Sequence, residues 1–211
     1  MPINLQTGCL RSQRKAFRTY DDIAPHYDKA MRRLDRWFLS PLRVATISRL
    51  PIEGRILEIG AGTGANFHLY PPGVSTVATE PSAGMLREAN RKKRASNVHL
   101  LQGCAEQLPF SENLFDAAFA TLVFCSLAEP QQAFSELRRV VKPGGLIVLL
   151  EHVRPDGLLG PLFDLLNLCT EPMFDDHFNR RTALAAEAAG LTNVTVDKKY
   201  LGIINIIAGR V

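Results

Sequence analysis

The chain has 211 residues, of which 46% are hydrophobic and 22% are charged, and its formal net charge is +4. This length suits one domain of about 100–200 residues, and the composition is that of a globular protein. It excludes a disordered chain, a collagen-like repeat and a miniprotein that only disulfides hold together.

The sequence does not predict a membrane anchor or a leader. Its longest apolar runs, such as Leu146–Leu150, are much shorter than the about 18 residues that a transmembrane helix needs. The first residues lack a basic stretch followed by an apolar one, so we expect no signal peptide and a cytoplasmic protein. The four cysteines form no Cys-x-x-Cys pair. This argues against a metal site or a disulfide framework and favours buried thiols.

The basic character of the chain is concentrated near its N-terminus. Residues 1–50 carry ten Lys or Arg and four Asp, a net charge of +6, whereas the remaining residues have a net charge of −2. We expect a helical cap or arm over residues 1–50, because this stretch has helical signals and no strand signal. Its segment Tyr27–Leu42 combines apolar residues with arginines. Such a surface suits an anionic partner, including peripheral contact with an anionic membrane, and a solvated helix face is the alternative.

From about Gly54 onward, short apolar runs alternate with helical segments. The expected strands are Arg55–Ile59, Thr76–Thr79, Val98–Gln102, Phe115–Ala120, Leu146–Glu151, Val194–Lys198 and Ile203–Ala208. The expected helices are Ala83–Arg94, Gln131–Val141 and Arg181–Ala189, with a short one from Ala65. This alternation predicts βαβ units. We therefore predict an α/β domain over residues 51–211, with a Rossmann-like, seven-stranded, mostly parallel sheet and helices on both faces.

A glycine-rich turn follows the first expected strand. Small residues let the backbone approach a ligand closely, and Glu80 ends the second strand twenty positions after Gly60. A carboxylate there accepts hydrogen bonds from both hydroxyls of a ribose. The glycine-rich turn and Glu80 together therefore indicate an adenosine-type cofactor. A weak dinucleotide pattern, G-x-G-x-x-A, is met by Gly60, Gly62 and Ala65. A second pattern, E-x-G-x-G-x-G, is met in full by Glu58, Gly60, Gly62 and Gly64.

The second pattern resembles the first motif of class I S-adenosylmethionine-dependent methyltransferases. Two more runs, Tyr20–Asp28 and Gln102–Phe110, resemble the group that includes the ubiquinone and menaquinone C-methyltransferases. Within this group, Thr121–Ser126 and Leu149–Val153 look more like bacterial phosphatidylethanolamine N-methyltransferase-like proteins and animal thiol methyltransferases. The resemblance implies S-adenosylmethionine as the cofactor and S-adenosylhomocysteine as its product.

The resemblance also implies a set of cofactor-binding residues and no metal. The glycine loop would pass beneath the methionine part of the cofactor, and Glu80 would hold the ribose. The implied residues are Glu58, Gly60, Ala61, Gly62, Gly64, Glu80, Pro81, Met85, Cys104, Ala105, Glu106, Thr121 and Val123. Cys104 stands where the family usually has Asp, and a thiol is a poor acceptor for the adenine amino group. We expect Glu106 or a backbone carbonyl to make that contact instead.

Two residues are candidates for the methyl-transfer step. Tyr27 is expected to fold over the cofactor as a lid, with plain helix packing as the alternative. His152 ends the fifth expected strand, near the acceptor, and an imidazole with a pKa of about 6.5 suits a general base. A structural role is the alternative for His152. Consecutive residues of a strand point to opposite faces of the sheet. If the expected strand pairing holds, the side chains of Glu151 and His152 therefore point in opposite directions, and only one of them is directed at the acceptor.

An apolar insertion at residues 157–178 follows the fifth expected strand, where this fold builds its acceptor pocket. Its many Leu and Phe residues favour a lipophilic acceptor or membrane contact. Our first hypothesis is methylation of a lipophilic small molecule, with the amine of phosphatidylethanolamine as the best choice. Methylation of a small thiol or of a quinone ring carbon are the alternatives.

Three other functions agree less well with the sequence. Nucleic-acid methylation is disfavoured, because basic residues do not continue around the expected cleft. A non-catalytic cofactor-binding protein is disfavoured by the intact glycine loop and Glu80. An NAD-dependent oxidoreductase rests on the weaker of the two glycine patterns. The sequence leaves the oligomeric state open.

Overall fold

The computed structural model describes residues 14–155, 160–161, 165 and 180–211. It contains helices where the N-terminal segment predicts them. Helix α1 (Arg14–Leu34) continues through a π-helical turn (Asp35–Leu39) into α2 (Ser40–Ile47). The expected apolar insertion at 157–178 lies almost entirely outside the described residues.

The sheet has seven strands, as predicted. They are β1 (Arg55–Ile59), β2 (Ser75–Glu80), β3 (Val98–Gln102), β4 (Phe115–Thr121), β5 (Val141–His152), β6 (Thr192–Lys199) and β7 (Ile204–Arg210). Their spatial order is β3-β2-β1-β4-β5-β7-β6. Strands β1 to β5 are parallel, whereas β7 runs antiparallel to both β5 and β6. The predicted Rossmann-like architecture is therefore confirmed.

Three further helices flank the sheet: α3 (Ala83–Arg91), α4 (Pro130–Val140) and α5 (Thr182–Ala188). Ser82 caps α3, because its hydroxyl accepts a hydrogen bond from the Met85 N–H at 3.1 Å. The short helix expected from Ala65 is wrong, since only a 3₁₀ turn, Phe67–Leu69, forms there. Three positive-φ glycines keep the chain before it out of the helical region.

Strand β5 begins earlier than expected. The sequence predicts a helix that ends at Val141 and a strand that begins at Leu146, but β5 already starts at Val141 and includes the Pro-Gly-Gly run between them. Val141 pairs with Phe115, and the register then shifts before Leu146 pairs with Ala117. The irregular pairing absorbs the proline and glycines, which a regular central strand does not tolerate.

The core lies on both faces of the sheet. Alternate residues of each central strand belong to opposite hydrophobic clusters: in β1, Leu57 packs on the side of α4 and α5, whereas Ile56 packs on the side of α2 and α3. This double burial explains why the strands are continuous apolar runs. Among the described residues, no helix combines the length and apolar character needed to cross a membrane.

Candidate active site

A cleft opens at the carboxyl ends of β1, β2 and β4, beneath helix α1. It encloses about 920 Å³, including its open mouth. Strand order reverses here, since β2 and β3 lie on one side of β1 and β4 lies on the other. In open α/β sheets, ligands bind at this switch point because the loops leave the sheet in opposite directions.

The glycine loop after β1 forms the floor of the cleft. Gly60, Gly62 and Gly64 all have positive φ, at 67°, 55° and 81°. A Cβ at Gly60 would lie 2.4 Å from a Val123 methyl carbon, and one at Gly64 would lie 2.4 Å from the Phe67 ring. At Gly62 a Cβ would meet nothing within 4 Å. The outer glycines are therefore needed for packing as well as conformation, and the middle one leaves the backbone open to a ligand.

Glu80 ends β2 at the edge of this loop and is 7% exposed. Its Oε2 accepts a hydrogen bond from the Gly62 N–H at 2.9 Å, and its Oε1 accepts one from the Ser82 N–H at 2.8 Å. Burial raises the pKa of this carboxyl to about 7, although the two backbone donors oppose the change. Each oxygen keeps the capacity to accept one more hydrogen bond, which is the number that two ribose hydroxyls require.

Behind the loop, Glu58 anchors a fully buried polar cluster. Tyr70 donates its hydroxyl hydrogen to Glu58 Oε2, and the Asn66 side-chain amide donates to Oε1 at 2.6 Å. Burial raises the pKa of Glu58 despite these donors and the nearby Arg43 guanidinium. Glu58 therefore holds the segment after the glycine loop from behind and does not line the cleft.

The loop after β4 forms the wall opposite Glu80. Its backbone N–H groups at Val123, Phe124 and Cys125 all donate to the buried Glu151 carboxylate, at 3.0, 3.0 and 3.3 Å. Arg180 donates to the carbonyl oxygens of Phe124 and Leu127 in the same loop. These two side chains thus fix a wall that the chain reaches by a tight bend at Leu122, whose φ is 60°.

Helix α1 covers the cleft and is attached at two points. Asp21 Oδ1 accepts hydrogen bonds from Ser82 Oγ at 2.6 Å and from the Gly84 N–H at 2.7 Å. About two turns further along, Asp28 accepts from Thr63 Oγ1 at 2.6 Å and pairs with Lys92. The preceding tyrosines, Tyr20 and Tyr27, line the cleft. The two Tyr-Asp pairs therefore act alike: the tyrosine faces the cleft and the aspartate secures the helix.

Most of the residues that the sequence indicates come together in this cleft. Those that line it are Tyr27, Gly60, Ala61, Gly62, Glu80, Pro81, Met85, Cys104, Ala105, Glu106, Thr121 and Val123. Glu58 and Gly64 are not among the residues that line the cleft. His152 is not among the described lining residues, and burial lowers its pKa. It pairs with Ile204 of β7, and its neighbour Glu151 is the one that contacts the cleft wall. Its role as a base stays a prediction.

The cysteines follow the sequence expectation only in part. Cys125 is buried and is not part of a disulfide. Cys104 is disulfide-bonded, so the expectation of a free thiol at the adenine edge is wrong for this residue. The spacing of the cysteines along the sequence does not show this bond, because disulfide pairing depends on how closely distant segments approach each other in the fold. Cys9 and Cys169 lie outside the described residues.

The chain is similar to known methyltransferases over this region. A profile of the methyltransferase domain family matches residues 57–149. A phosphatidylethanolamine N-methyltransferase from Cereibacter sphaeroides is 30% identical over 64% of this chain and 72% of that protein. The chain belongs to the class I S-adenosylmethionine-dependent methyltransferases. The resemblance seen in the motifs is thereby confirmed at the level of the family.

Other relatives of this chain are named for different methyl acceptors. A demethylmenaquinone methyltransferase from Renibacterium salmoninarum is 35% identical over 64% of this chain and 58% of that protein. A thiol S-methyltransferase from Rattus norvegicus is 32% identical over 69% of this chain and 63% of that protein. The match thus spans less than two thirds of these two relatives. A solved methyltransferase from Thermotoga maritima superposes with a TM-score of 0.71 at 23% identity, covering 92% of this chain and 99% of that one.

The cofactor of this family, S-adenosylmethionine, fits the residues of the cleft. Glu80 has two free acceptor positions for a ribose, and the space above Gly62 is open.

Sequence reasoning missed several residues that shape this methyltransferase site. Arg43 lines the cleft, yet it appears in the sequence as one of many basic residues in the N-terminal segment. A signal was present, since Leu42, Arg43, Thr46 and Ile47 recur at helical spacing on one buried face. For the loop-holding roles of Arg180 and Glu151, local sequence carries no signal.

Proposed function

We propose that this methyltransferase transfers a methyl group from S-adenosylmethionine to a lipophilic small molecule, with the amine of phosphatidylethanolamine as the preferred acceptor. One observation carries the lipophilic part of this proposal. The helical cap that covers the cofactor cleft continues directly into an exposed apolar and basic surface. A cap of this kind connects cofactor binding with access from a lipid surface.

The described residues divide the cleft into parts for the cofactor. Glu80 would accept hydrogen bonds from the ribose, Cys104 to Glu106 would border the adenine, and the glycine loop would support the methionine part. When bound, S-adenosylmethionine supplies a methyl group that is already activated on a sulfonium. The chain therefore has to align the acceptor and exclude water, which is worth about 7–11 kcal/mol in well-oriented reactions. Tyr20 and Tyr27, held by the two aspartates, contribute to that exclusion.

The exposed surface consists of Leu34, Trp37, Phe38, Tyr200 and Leu201, here called the apolar rim. Trp37 is 70% exposed and Leu201 is 83% exposed. The Phe38 and Tyr200 rings meet edge to face at 5.8 Å, and Tyr200 Oη donates to the Phe38 carbonyl at 3.3 Å. These contacts join the π-helical turn to the hairpin between β6 and β7, so that one continuous surface results.

The apolar rim faces the same edge of the sheet as the cleft. His152, at the carboxyl end of β5, pairs with Ile204, and Leu201 lies just before Ile204 in the turn that leads into β7. Tyr200 and Leu201 both have positive φ, at 47° and 59°. Such backbone is costly for bulky side chains. Its presence at an exposed apolar tip favours a functional role for the rim.

Basic residues accompany the apolar rim. Arg32 and Arg33 end helix α1, and the Arg36 guanidinium lies 5.6 Å from the centre of the Trp37 ring. Apolar side chains with arginines beside them bind reversibly to anionic bilayers, each arginine near the surface adding about 1 kcal/mol. We therefore propose peripheral association with an anionic membrane.

An amine acceptor needs more help from the protein than a thiol does. An aliphatic amine with a pKa of about 10 is mostly protonated at neutral pH, whereas a thiol with a pKa of about 8.5 is partly ionised. His152 is our candidate base, and burial favours its neutral form, which accepts a proton. A small thiol and a quinone ring carbon are the competing acceptors, and relatives named for each support them.

The acceptor is identified by offering all three classes to the same preparation. The protein is incubated with methyl-labelled S-adenosylmethionine and either phosphatidylethanolamine vesicles, a simple alkyl thiol or a demethylated quinone. The proposal predicts label in mono- or dimethylated phospholipid. Label only in the thiol or only in the quinone would overturn the lipid acceptor while leaving the cofactor assignment in place.

Membrane association is tested separately with a matched pair of variants. The double variant Trp37→Ser, Leu201→Ser removes two members of the apolar rim. The control Ile52→Ser removes a 77% exposed apolar side chain just before β1, at the opposite edge of the sheet. Vesicles with anionic lipid should retain the wild type and the control and release the double variant. Equal retention of all three would contradict the role of the rim.

A further inference from the structure

Helices α1 and α3 lie side by side and run in the same direction. Asp21 of α1 accepts a hydrogen bond from the Gly84 N–H at the start of α3, at 2.7 Å. Seven residues further along α1, Asp28 pairs at 2.6 Å with Lys92, the residue that follows α3. The two helices therefore advance together, and the last turns of α1 lie beside the end of α3.

Positive charge is concentrated where these two helices end. Residues 28–36 and 87–94 together contain nine Lys or Arg and three Asp or Glu, a net charge of +6, whereas the whole chain has +4. Each of the three acidic side chains already pairs with a basic one within the fold. Six exposed basic side chains, here called the basic surface, pair with no carboxylate of the described residues and lie over no aromatic ring: Lys29, Arg32, Arg33, Arg87, Lys93 and Arg94.

On α1 the basic residues form a stripe along one face. Lys29, Arg32, Arg33 and Arg36 follow one another at the spacing of a helical turn, so they project from the same side of the helix. Like charges three or four residues apart on a helix repel one another. Anionic groups spread over the stripe remove this repulsion, so the stripe suits an extended anionic partner.

The neighbouring apolar rim indicates which anionic partner fits. Leu34, Trp37 and Phe38 adjoin the stripe along the chain, and all three are exposed. A phospholipid bilayer presents phosphate groups beside an apolar layer, and a basic apolar surface binds both. A nucleic acid duplex presents phosphates without such a layer. The combination of stripe and rim therefore favours anionic phospholipids.

We propose that the basic surface docks on the headgroups of anionic phospholipids, and that the docked bilayer keeps the cap closed over the cleft. The inference rests on the membrane association in the proposed function, to which it adds a second helix and a coupling to the cap. Helix α1 covers the cleft through Tyr20 and Tyr27, whereas α3 connects β2 to β3. A bilayer that binds both helix ends offsets their mutual repulsion and opposes movement of α1 away from α3.

Cosedimentation with vesicles tests the docking surface. The vesicles contain either phosphatidylcholine alone or phosphatidylcholine mixed with phosphatidylglycerol. The double variant Lys93→Gln, Arg94→Gln removes two charges from the end of α3 and leaves the apolar rim intact. The control Arg55→Gln, Arg181→Gln removes two exposed charges outside the basic surface. A second control, Lys93→Arg, Arg94→Lys, keeps both charges in place.

Vesicles with phosphatidylglycerol should bind the wild type and both controls, and phosphatidylcholine alone should bind them weakly. The neutralised variant should bind about tenfold or more weakly, because each basic residue at an anionic bilayer adds to the attraction. Raised salt should reduce this difference, because it screens the charges. Equal binding of the wild type and the neutralised variant would overturn the docking surface. Binding of the wild type to duplex DNA but not to vesicles would assign the surface to a nucleic acid.

Isothermal titration tests the coupling to the cap. The affinity for S-adenosylhomocysteine is measured with and without vesicles that contain phosphatidylglycerol. The vesicles should raise the affinity of the wild type about fivefold and leave that of Lys93→Gln, Arg94→Gln unchanged. Without vesicles, the two proteins should bind the ligand equally, which also shows that the variant is folded. An affinity of the wild type that vesicles do not change would overturn the coupling.

Failure of this inference is distinguishable from failure of the proposed function. If Trp37→Ser, Leu201→Ser loses binding to anionic vesicles while Lys93→Gln, Arg94→Gln keeps it, the rim alone docks and the inference is wrong. If the wild type binds no anionic vesicles, the proposed membrane association is itself wrong, and the inference is lost with it.

Discussion

Gly84 lies directly beneath Asp21, at the point where the cap helix meets the helix after β2. A Cβ on Gly84 would lie 2.8 Å from both the Cα and the carbonyl oxygen of Asp21. The Gly84 N–H donates to Asp21 Oδ1 at 2.7 Å. The absence of a side chain thus lets the backbones touch, and the carboxylate caps the start of α3. This contact explains how the N-terminal segment is held over the cleft.

Replacing Gly84 with Ala should loosen the cap. Overpacking against backbone atoms costs about 1–3 kcal/mol, and the cap helix can relieve this strain by moving away from α3. We expect S-adenosylhomocysteine to bind about tenfold more weakly, measured by titration calorimetry. In a helix that lacks such a contact, Gly is about 1 kcal/mol less stabilising than Ala. Unchanged affinity with a raised melting temperature would therefore mean that the cap contact is unimportant.

The second attachment should matter less than the first. The Asp28 carboxylate is about half exposed, with 53% of its side chain accessible, and pairs with Lys92 at 2.6 Å. Exposed ion pairs contribute about 0.2–1 kcal/mol. We expect Asp28→Asn to weaken S-adenosylhomocysteine binding about two- to fivefold at low salt. Raised salt should weaken S-adenosylhomocysteine binding to the wild type by a similar factor, because it screens the ion pair. It should leave binding to the Asp28→Asn variant unchanged, because this variant has no such pair. A loss larger than that of Gly84→Ala would reverse this ranking of the two attachments.

Ligand binding should depend on pH through Glu80. Its pKa lies at about 7, so the carboxyl is largely protonated at pH 6 and largely ionised at pH 8. The ionised form accepts hydrogen bonds from both ribose hydroxyls, so affinity for S-adenosylhomocysteine should rise about five- to tenfold between about pH 6 and pH 8. Glu80→Gln should bind more weakly with a flat profile. A flat profile in the wild type would exclude Glu80 as the ionised ribose acceptor.

The stability of the free protein should fall as pH rises from about 5 to neutrality and should then level off through these groups. Burial raises the pKa of Glu151 from 4.5 to about 7 in the folded state. A carboxyl with a raised folded pKa contributes stability that is fully present below its unfolded pKa of 4.5 and is lost as pH rises through about 7. Glu80 acts in the same direction. Thermal melts between about pH 5 and pH 9 should show this decline.

The variant Glu151→Gln isolates the contribution of Glu151 to the pH dependence of stability. Glu151→Gln cannot ionise, so its melting temperature should decline less than that of the wild type between about pH 5 and about pH 7. At acid pH it should be less stable than the wild type, because its amide group cannot accept from the Cys125 N–H that Glu151 binds at 3.3 Å. Parallel declines for variant and wild type would assign the pH dependence to other groups.

The parts of the site that depend on local spacing could be predicted from the sequence. The glycine loop and Glu80 lie at the ends of adjacent parallel strands, and their separation along the chain follows from one crossover connection between these strands. Alternation of apolar runs likewise predicts the strands, because double burial in a parallel sheet leaves continuous apolar segments. The Tyr-Asp repeat in the cap was visible, but its division of tasks between cleft and attachment was not.

The parts that depend on long-range contacts could not be predicted. Arg43 contacts Thr121 across 78 positions of the chain, and its helical spacing with buried neighbours indicates burial but not this partner. Arg180 reaches Phe124 across 56 positions. The insertion at residues 157–178, on which the acceptor hypothesis largely depends, lies outside the described residues. The cofactor side of the site is thus better determined by sequence than the acceptor side.

A crystal structure of the S-adenosylhomocysteine complex tests the central claim most directly. The account predicts the ribose hydroxyls on Glu80, the adenine beside Cys104 to Glu106, and the methionine part over the glycine loop, with Tyr20 and Tyr27 closed over the ligand. A ligand bound in the reverse direction, with its adenine over the glycine loop, or bound outside the cleft beneath α1, would contradict it.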